Sequence, residues 1–131
     1  MVTDVQVQGR RLTVYNLHLE SRGDEDLRLA QLEEAIEDAA AHAGQLPTLL
    51  AGDLNLDASH AAPAEALKHV GLRNALGLPS AHTTTPRGLF RQRRKIDWAY
   101  VSGPVEPIHG RVHDTVDASD HYPISFTLKF S

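Results

Sequence analysis

The sequence predicts an α/β layer, and three observations predict it. Thr48-Leu49-Leu50-Ala51 is a short, uncharged run of the kind found in strands buried on both faces. Residues 24–43 place Leu29, Leu32, Ile36, Ala39 and Ala43 at three- and four-residue spacings, one apolar stripe along a helix. Ahead of that helix, two apolar-alternating runs flank Gln8-Gly9, as in a β-hairpin. Strand, helix and buried strand in succession make a β-α-β unit, which puts the working edge of the layer at the strand ends.

Each element has its own signals. Val2, Val5 and Val7 mark the first strand; Leu12, Val14 and Tyr15 mark the second, which runs through Leu17-His18-Leu19 and stops near residues 20–23. Asp24, Glu25 and Asp26 favour the positive end of the first helix dipole, and Gly44 is placed to stop it. A second, shorter helix is expected from Pro63, a favoured first-turn residue, to Gly71. Gly77, Pro79 and Ser80 signal a loop, and residues 82–88 read as irregular. Arg91, Arg93, Arg94 and Lys95 form the one dense basic run, which reads equally as a solvated loop or as a phosphate contact. Residues 95–101 then alternate as a strand, with Ile96, Trp98 and Tyr100 on one side and Asp97, Ala99 and Val101 on the other. Ser102-Gly103-Pro104 ends it, residues 116–123 form a polar loop, and residues 124–130 make the last strand.

Bulk properties narrow the function. At 131 residues the chain is expected to be one domain, residues 1–131, with 41% hydrophobic and 23% charged residues, ordinary for a globular protein. A net charge of −4 gives no global attraction to nucleic acid or to an anionic membrane, so a polyanion must be met by a local patch or a metal. The lack of cysteine excludes disulfides, thiolate chemistry and Cys-based zinc sites. No apolar run approaches the ~20 residues of a membrane span, and the first residues lack the pattern of a signal peptide. The compartment is left unset, with the cytoplasm as the default, since a targeting signal could belong to sequence ahead of residue 1.

The chemistry is expected at the strand ends. The run 48–51 leads into Gly52 and then places Asp53, Asn55 and Asp57 at alternate positions, which in extended chain point the same way. The alternative is a polar Asx turn capping a core strand. His18, Asp97 and Asp120-His121 also fall beside strands. Asp and Asn oxygens suit a hard cation such as Mg²⁺; a histidine backed by a carboxylate works as acid, base or phosphate donor. Together they suit metal-assisted hydrolysis of a phosphate ester.

Asn16-Leu17-His18-Leu19, Gly52-Asp53-Leu54-Asn55, Lys95-Ile96-Asp97-Trp98 and Ser119-Asp120-His121-Tyr122-Pro123 resemble, in order, four motifs of the endonuclease/exonuclease/phosphatase superfamily, the deoxyribonuclease I-like fold. Arg28, Gln31 and Gly71-Leu72 are similar to it too. The resemblance implies a half of a four-layered α/β/β/α sandwich: one mixed, mostly antiparallel sheet with helices on one face. It implies Mg²⁺ or Mn²⁺ as cofactor and a phosphate-ester substrate, nucleic acid among the options. By the same resemblance, Asp53 would orient or deprotonate the attacking water, and Asn55 would bond the phosphoryl oxygen. Asp120 would join Asp53 and Asn55 at the metal. His121, paired with Asp97, would stabilise the transition state or act as base, and His18 would bind phosphate or assist the leaving group.

One departure follows. The family's first half, with an Asn-containing first strand and a metal-binding Glu, has no counterpart here. The expectation is therefore a partial domain whose uncovered sheet face requires a missing N-terminal half or a second copy of the chain. The sequence supports two readings: a Mg²⁺-dependent phosphoesterase, incomplete as this chain alone, or a non-catalytic half-domain that binds phosphate ligands or pairs with a partner.

Overall fold

A computed structural model describes residues 1–43, 46–58, 60–77, 83–86 and 93–131, without the side chains of residues 42, 43, 61 and 62. The sequence expectations for Gly44, Pro79, Ser80, His82, Arg87, Gly88 and Arg91 lie outside the described residues. The chain opens with β1 (Val2–Val7) and β2 (Arg10–His18), an antiparallel hairpin. Gln8 and Gly9 have φ of 51° and 80°, the left-handed pair of a two-residue turn whose twist matches the strands.

Helix α1 (Glu25–Ala43) begins where the Asp24 carboxylate accepts the Leu27 N–H at 2.9 Å, an N-cap. Strand β3 (Thr48–Asp53) then returns parallel to β2, completing the β-α-β unit. Helix α2 (Ala61–His69) starts two residues before the expected Pro63, which lies inside its first turn. It ends at a left-handed Gly71 (φ 74°), with Leu72 N–H returning to the Leu67 carbonyl at 3.0 Å. The short β4 (Arg73–Asn74) and β5 (Asp97–Ser102) complete a five-stranded mixed sheet of order β1-β2-β3-β5-β4, in which only β2–β3 is parallel.

Both helices cover one face of this sheet. Tyr15, Leu50, Trp98 and Tyr100 pack there against Leu32, Ile36 and Ala39 of α1 and Leu67 of α2. The Tyr15 hydroxyl donates to Asp38 at 2.7 Å, and burial with that bond pushes its pKa to about 12. The opposite face, expected bare, carries a second sheet made of β6 (Val105–Val112) and β7 (Ile124–Phe130). Ala75, Ala99, Val101 and Val105 are buried there, with Leu49, Ala51, Ile124, Phe126, Leu128 and Phe130 packed around them. Strand β7 lies where the sequence places the last strand; its partner β6 is not among the sequence expectations. Pro107 and Gly110 interrupt its alternation, and its register shifts between Ile108 and Arg111. Among the described residues no helix is long and apolar enough to cross a membrane.

Candidate active site

The ladder register builds the site. On one side of β3, Asp53 pairs with His18 of β2; on the other it pairs with Asp97 of β5. Side chains directly opposite share a face, so His18, Asp53 and Asp97 form one polar row across three strands. The next rows on that face are Asn16, Ala51, Ala99 and then Val14, Leu49, Val101. On the helix face the matching row is Leu17, Gly52, Trp98. Gly52 has φ 141°, and a Cβ there would lie 1.9 Å from the Leu17 carbonyl oxygen. Only glycine lets β2 and β3 close at this level. The ladders continue past the row, with Leu19 N–H to the Asp53 carbonyl at 2.9 Å and Leu54 N–H to the Ile96 carbonyl at 2.8 Å.

His121 enters this row from the loop before β7. Its Nδ1 lies 2.8 Å from Asp97 Oδ2, and its Nε2 lies 3.9 Å from Asp53 Oδ2. A carboxylate only accepts, so Nδ1 carries the proton and Nε2 faces Asp53. Burial opposes a charge on this ring, but the Asp97 hydrogen bond, reinforced by the charges of Asp97, Asp53 and Asp120, lifts the His121 pKa above its ordinary value. His18 Nε2 stands 3.8 Å from the same Asp53 oxygen, with a well-exposed side chain.

The fit to a metal follows from these donors. Asp53, Asp97 and His121 each offer one ligand atom within 4.8 Å of the others. Asp97 is already bonded to His121, and Asp53 Oδ1 accepts the Asn55 N–H at 2.8 Å, so Asp53 Oδ2 is its less encumbered oxygen. That partial set suits a divalent ion held by one or two carboxylates and otherwise by water and substrate, the habit of Mg²⁺. Asp120 lies outside the three-residue group; it is exposed beside the Ser119 hydroxyl, 3.4 Å away, and contributes its charge to His121.

Asn55 does not join the row. Strand β3 stops at Asp53, whose side chain closes an Asx turn, and Asn55 sits at φ 50°. Its amide nitrogen donates to the Leu19 carbonyl at 3.0 Å, tying the end of β2 to the turn. Alternation therefore does not carry Asp53, Asn55 and Asp57 onto one face. Asn55 and Asp57 line a neighbouring cleft instead. Arg28 and Gln31 of α1 hold the 20–23 loop: Arg28 donates to the Gly23 carbonyl at 2.6 Å, and Gln31 accepts the Glu20 N–H at 2.9 Å.

One residue that sequence reasoning missed fixes the Asp97–His121 geometry. Thr84 is fully buried, and its hydroxyl accepts the N–H groups of Ile96 at 3.1 Å and Asp97 at 3.0 Å. Its carbonyl accepts the Tyr122 N–H at 2.7 Å. It thus clamps the start of β5 to the loop that carries His121. No signal in the run Thr83-Thr84-Thr85 separates it from its neighbours.

The profile described as Endonuclease/Exonuclease/phosphatase family matches residues 4–121. A humanized TDP2 of D. rerio superposes with TM-score 0.74 at 23% identity, over 98% of this chain and 59% of that one. A mannosyl-6-phosphatase of Bacteroides thetaiotaomicron gives 0.67 at 23% identity, over 94% of this chain and 53% of that one. D. rerio TDP2 complexed with a single-strand DNA product gives 0.70 at 22% identity, over 98% and 60%. The chain spans roughly half to three-fifths of the length of these structures. No curated protein matches it significantly in sequence.

Proposed function

Because the chain belongs to the endonuclease/exonuclease/phosphatase family, we propose that it is a Mg²⁺-dependent hydrolase of phosphate esters whose reacting end is the His18–Asp53–Asp97 row with His121. The observation that carries the reading is the pair of contacts made by His121, 2.8 Å to Asp97 on one ring nitrogen and 3.9 Å to Asp53 on the other. In the reaction a water oxygen bonds to phosphorus, the ester P–O bond breaks, and the leaving oxygen takes up a proton. Asp53 orients the water and accepts its proton. His121, whose protonated form the Asp97 hydrogen bond favours against burial, stabilises the negative charge that builds on the phosphoryl oxygens. The exposed His18 is placed to meet the phosphate or to protonate the leaving oxygen. Asn55 would offer its second amide proton to a phosphoryl oxygen beside the turn. Mg²⁺, which Asp53 would hold with water and substrate oxygens and to which the exposed Asp120 would add a carboxylate from outside the three-residue group, would neutralise phosphate charge and polarise the P–O bond. Mn²⁺ fits the same oxygens.

The partial donor set supports a second reading, a half-domain that binds phosphate without turnover until a partner or further sequence supplies another carboxylate. Hydrolysis of bis(p-nitrophenyl) phosphate in Mg²⁺ decides between the two. Asp53→Asn and His121→Gln should each lower the rate at least about a hundredfold. Turnover that both variants leave intact would remove the first reading. Phosphate binding without turnover would favour the second.

A further inference from the structure

Past the Asx turn that ends the row, with Asn55 in its lining, lies a cleft of about 370 Å³. Its charged lining sets Arg28, Arg93, Arg94 and Lys95 against Glu25 and Asp57. In a chain of net charge −4, four cations facing two anions make a local field of the opposite sign. Three of the cations are held in place. Arg94 donates to the Asn55 carbonyl at 3.1 Å, which fixes a guanidinium next to the strand-end turn. Lys95 is 7% exposed, with its ammonium 4.4 Å from the Trp98 ring centroid; burial lowers its pKa against the opposing pull of Asp57. Arg28 is anchored through Nη1 to the Gly23 carbonyl, and its buried Nε has no hydrogen-bond partner among the described residues. A buried donor without an acceptor is costly and rare.

We infer that this cleft holds a second phosphate of the substrate, so that the preferred substrate carries at least two phosphates: one cleaved at the row, the other bound by Arg28, Arg93 and Arg94. The inference rests on the phosphoesterase reading. The Asp53–Asn55 turn is the link: Asp53 stands in the row, and Asn55, two residues on, lines the cleft. Fixed guanidinium groups bind phosphate oxygens through paired N–H donors. The chemistry is shared by two sources, the neighbouring backbone phosphate of an oligonucleotide and the second phosphate of a small polyphosphorylated ester.

The test is a titration of the isotope-labelled full chain with inorganic phosphate, inorganic diphosphate and the dinucleotide pTpT, followed by NMR at the arginine Nε–H groups and the His121 ring. A two-phosphate probe should bind at least about tenfold more tightly than inorganic phosphate, the factor one charge-assisted hydrogen bond supplies. It should move both the Arg28 Nε–H and the His121 signals. Arg93→Glu should erase that preference, whereas Arg111→Glu on the exposed edge of β6 makes the same change in net charge and should keep it. Tighter binding of pTpT than of diphosphate supports an oligonucleotide substrate; the reverse order supports a small ester. A His121 shift with Arg28 unmoved, or a preference that survives Arg93→Glu, overturns the second-phosphate site and leaves the phosphoesterase reading standing. Arg28 shifts with His121 unmoved would leave an anion site but remove its assignment to a substrate.

Discussion

On the helix-covered face of the central sheet Tyr15, Leu50, Trp98 and Tyr100 are each 5% exposed or less. On the opposite face cover fades across the strands: Ala99 and Val101 of β5 are fully buried, whereas Leu49 and Ala51 of β3 and Val14 of β2 are half-buried. Leu49 and Leu50 are chemically identical neighbours in one strand, yet they face these two environments. The first face carries large interlocking side chains and supplies most of the packing. The second carries aliphatic side chains from Ala to Leu, less closely covered, that end in the polar row. The contrast implies that stability and chemistry are separable by mutation, although they share a backbone.

The sharpest test of that separation is Leu50→Ala against Leu49→Ala. Removing the fully buried Leu50 should cost about 3–5 kcal/mol in urea denaturation. The Leu49 change should cost at least about 1 kcal/mol less, because its surroundings are already open to water. Equal losses would show that the second face is as tightly packed as the first.

Thr84→Val sits between the faces in kind. It keeps the volume and removes the acceptor for two N–H groups, a loss of about 2 kcal/mol. It should also loosen the Asp97–His121 pair, seen as a lower His121 pKa. Thr84→Ser should restore both.

The smallest change in stability is expected for Asp97→Asn, less than about 1 kcal/mol at a partly exposed pair. Its effect should appear instead in the titration of His121. The Asp97 hydrogen bond raises the folded-state pKa of His121, so the stabilisation it brings is fully present below the ordinary value of about 6.5 and is lost as the pH rises through the raised folded value. In Asp97→Asn, NMR titration of the ring should move down, and the matching fall in stability with rising pH should shrink. An unmoved titration would mean that Asp97 is not what holds the proton.

What could be read from the sequence follows the same division. Periodicity marks elements and faces, so Asp97 opposite Trp98 and the α1 stripe were legible from local pattern. Asp53 and Asn55 were legible as a pair, but their convergence was not: φ 50° at Asn55 breaks the extended geometry on which alternation depends. The position of β6 was hidden by Pro107, Gly110 and a register shift, which erase a period of two. Thr84 was illegible for a different reason, since its partners lie 12 and 13 residues downstream and depend on tertiary contact alone.

The shared register of β2, β3 and β5 also governs which changes of chain length the molecule can absorb. Inserting or deleting one residue within β3 or β5 inverts the facing of the residues on one side of the change relative to those on the other, and would exchange Asp53 or Asp97 with a neighbour from the helix face. The exposed stretch 114–118 has no such constraint, because Thr84 tethers the His121 loop further along, at Tyr122. Gaps between this chain and its relatives should therefore gather in that stretch and in the hairpin at Gln8-Gly9, while the spans 13–19, 48–55 and 96–102 align without one.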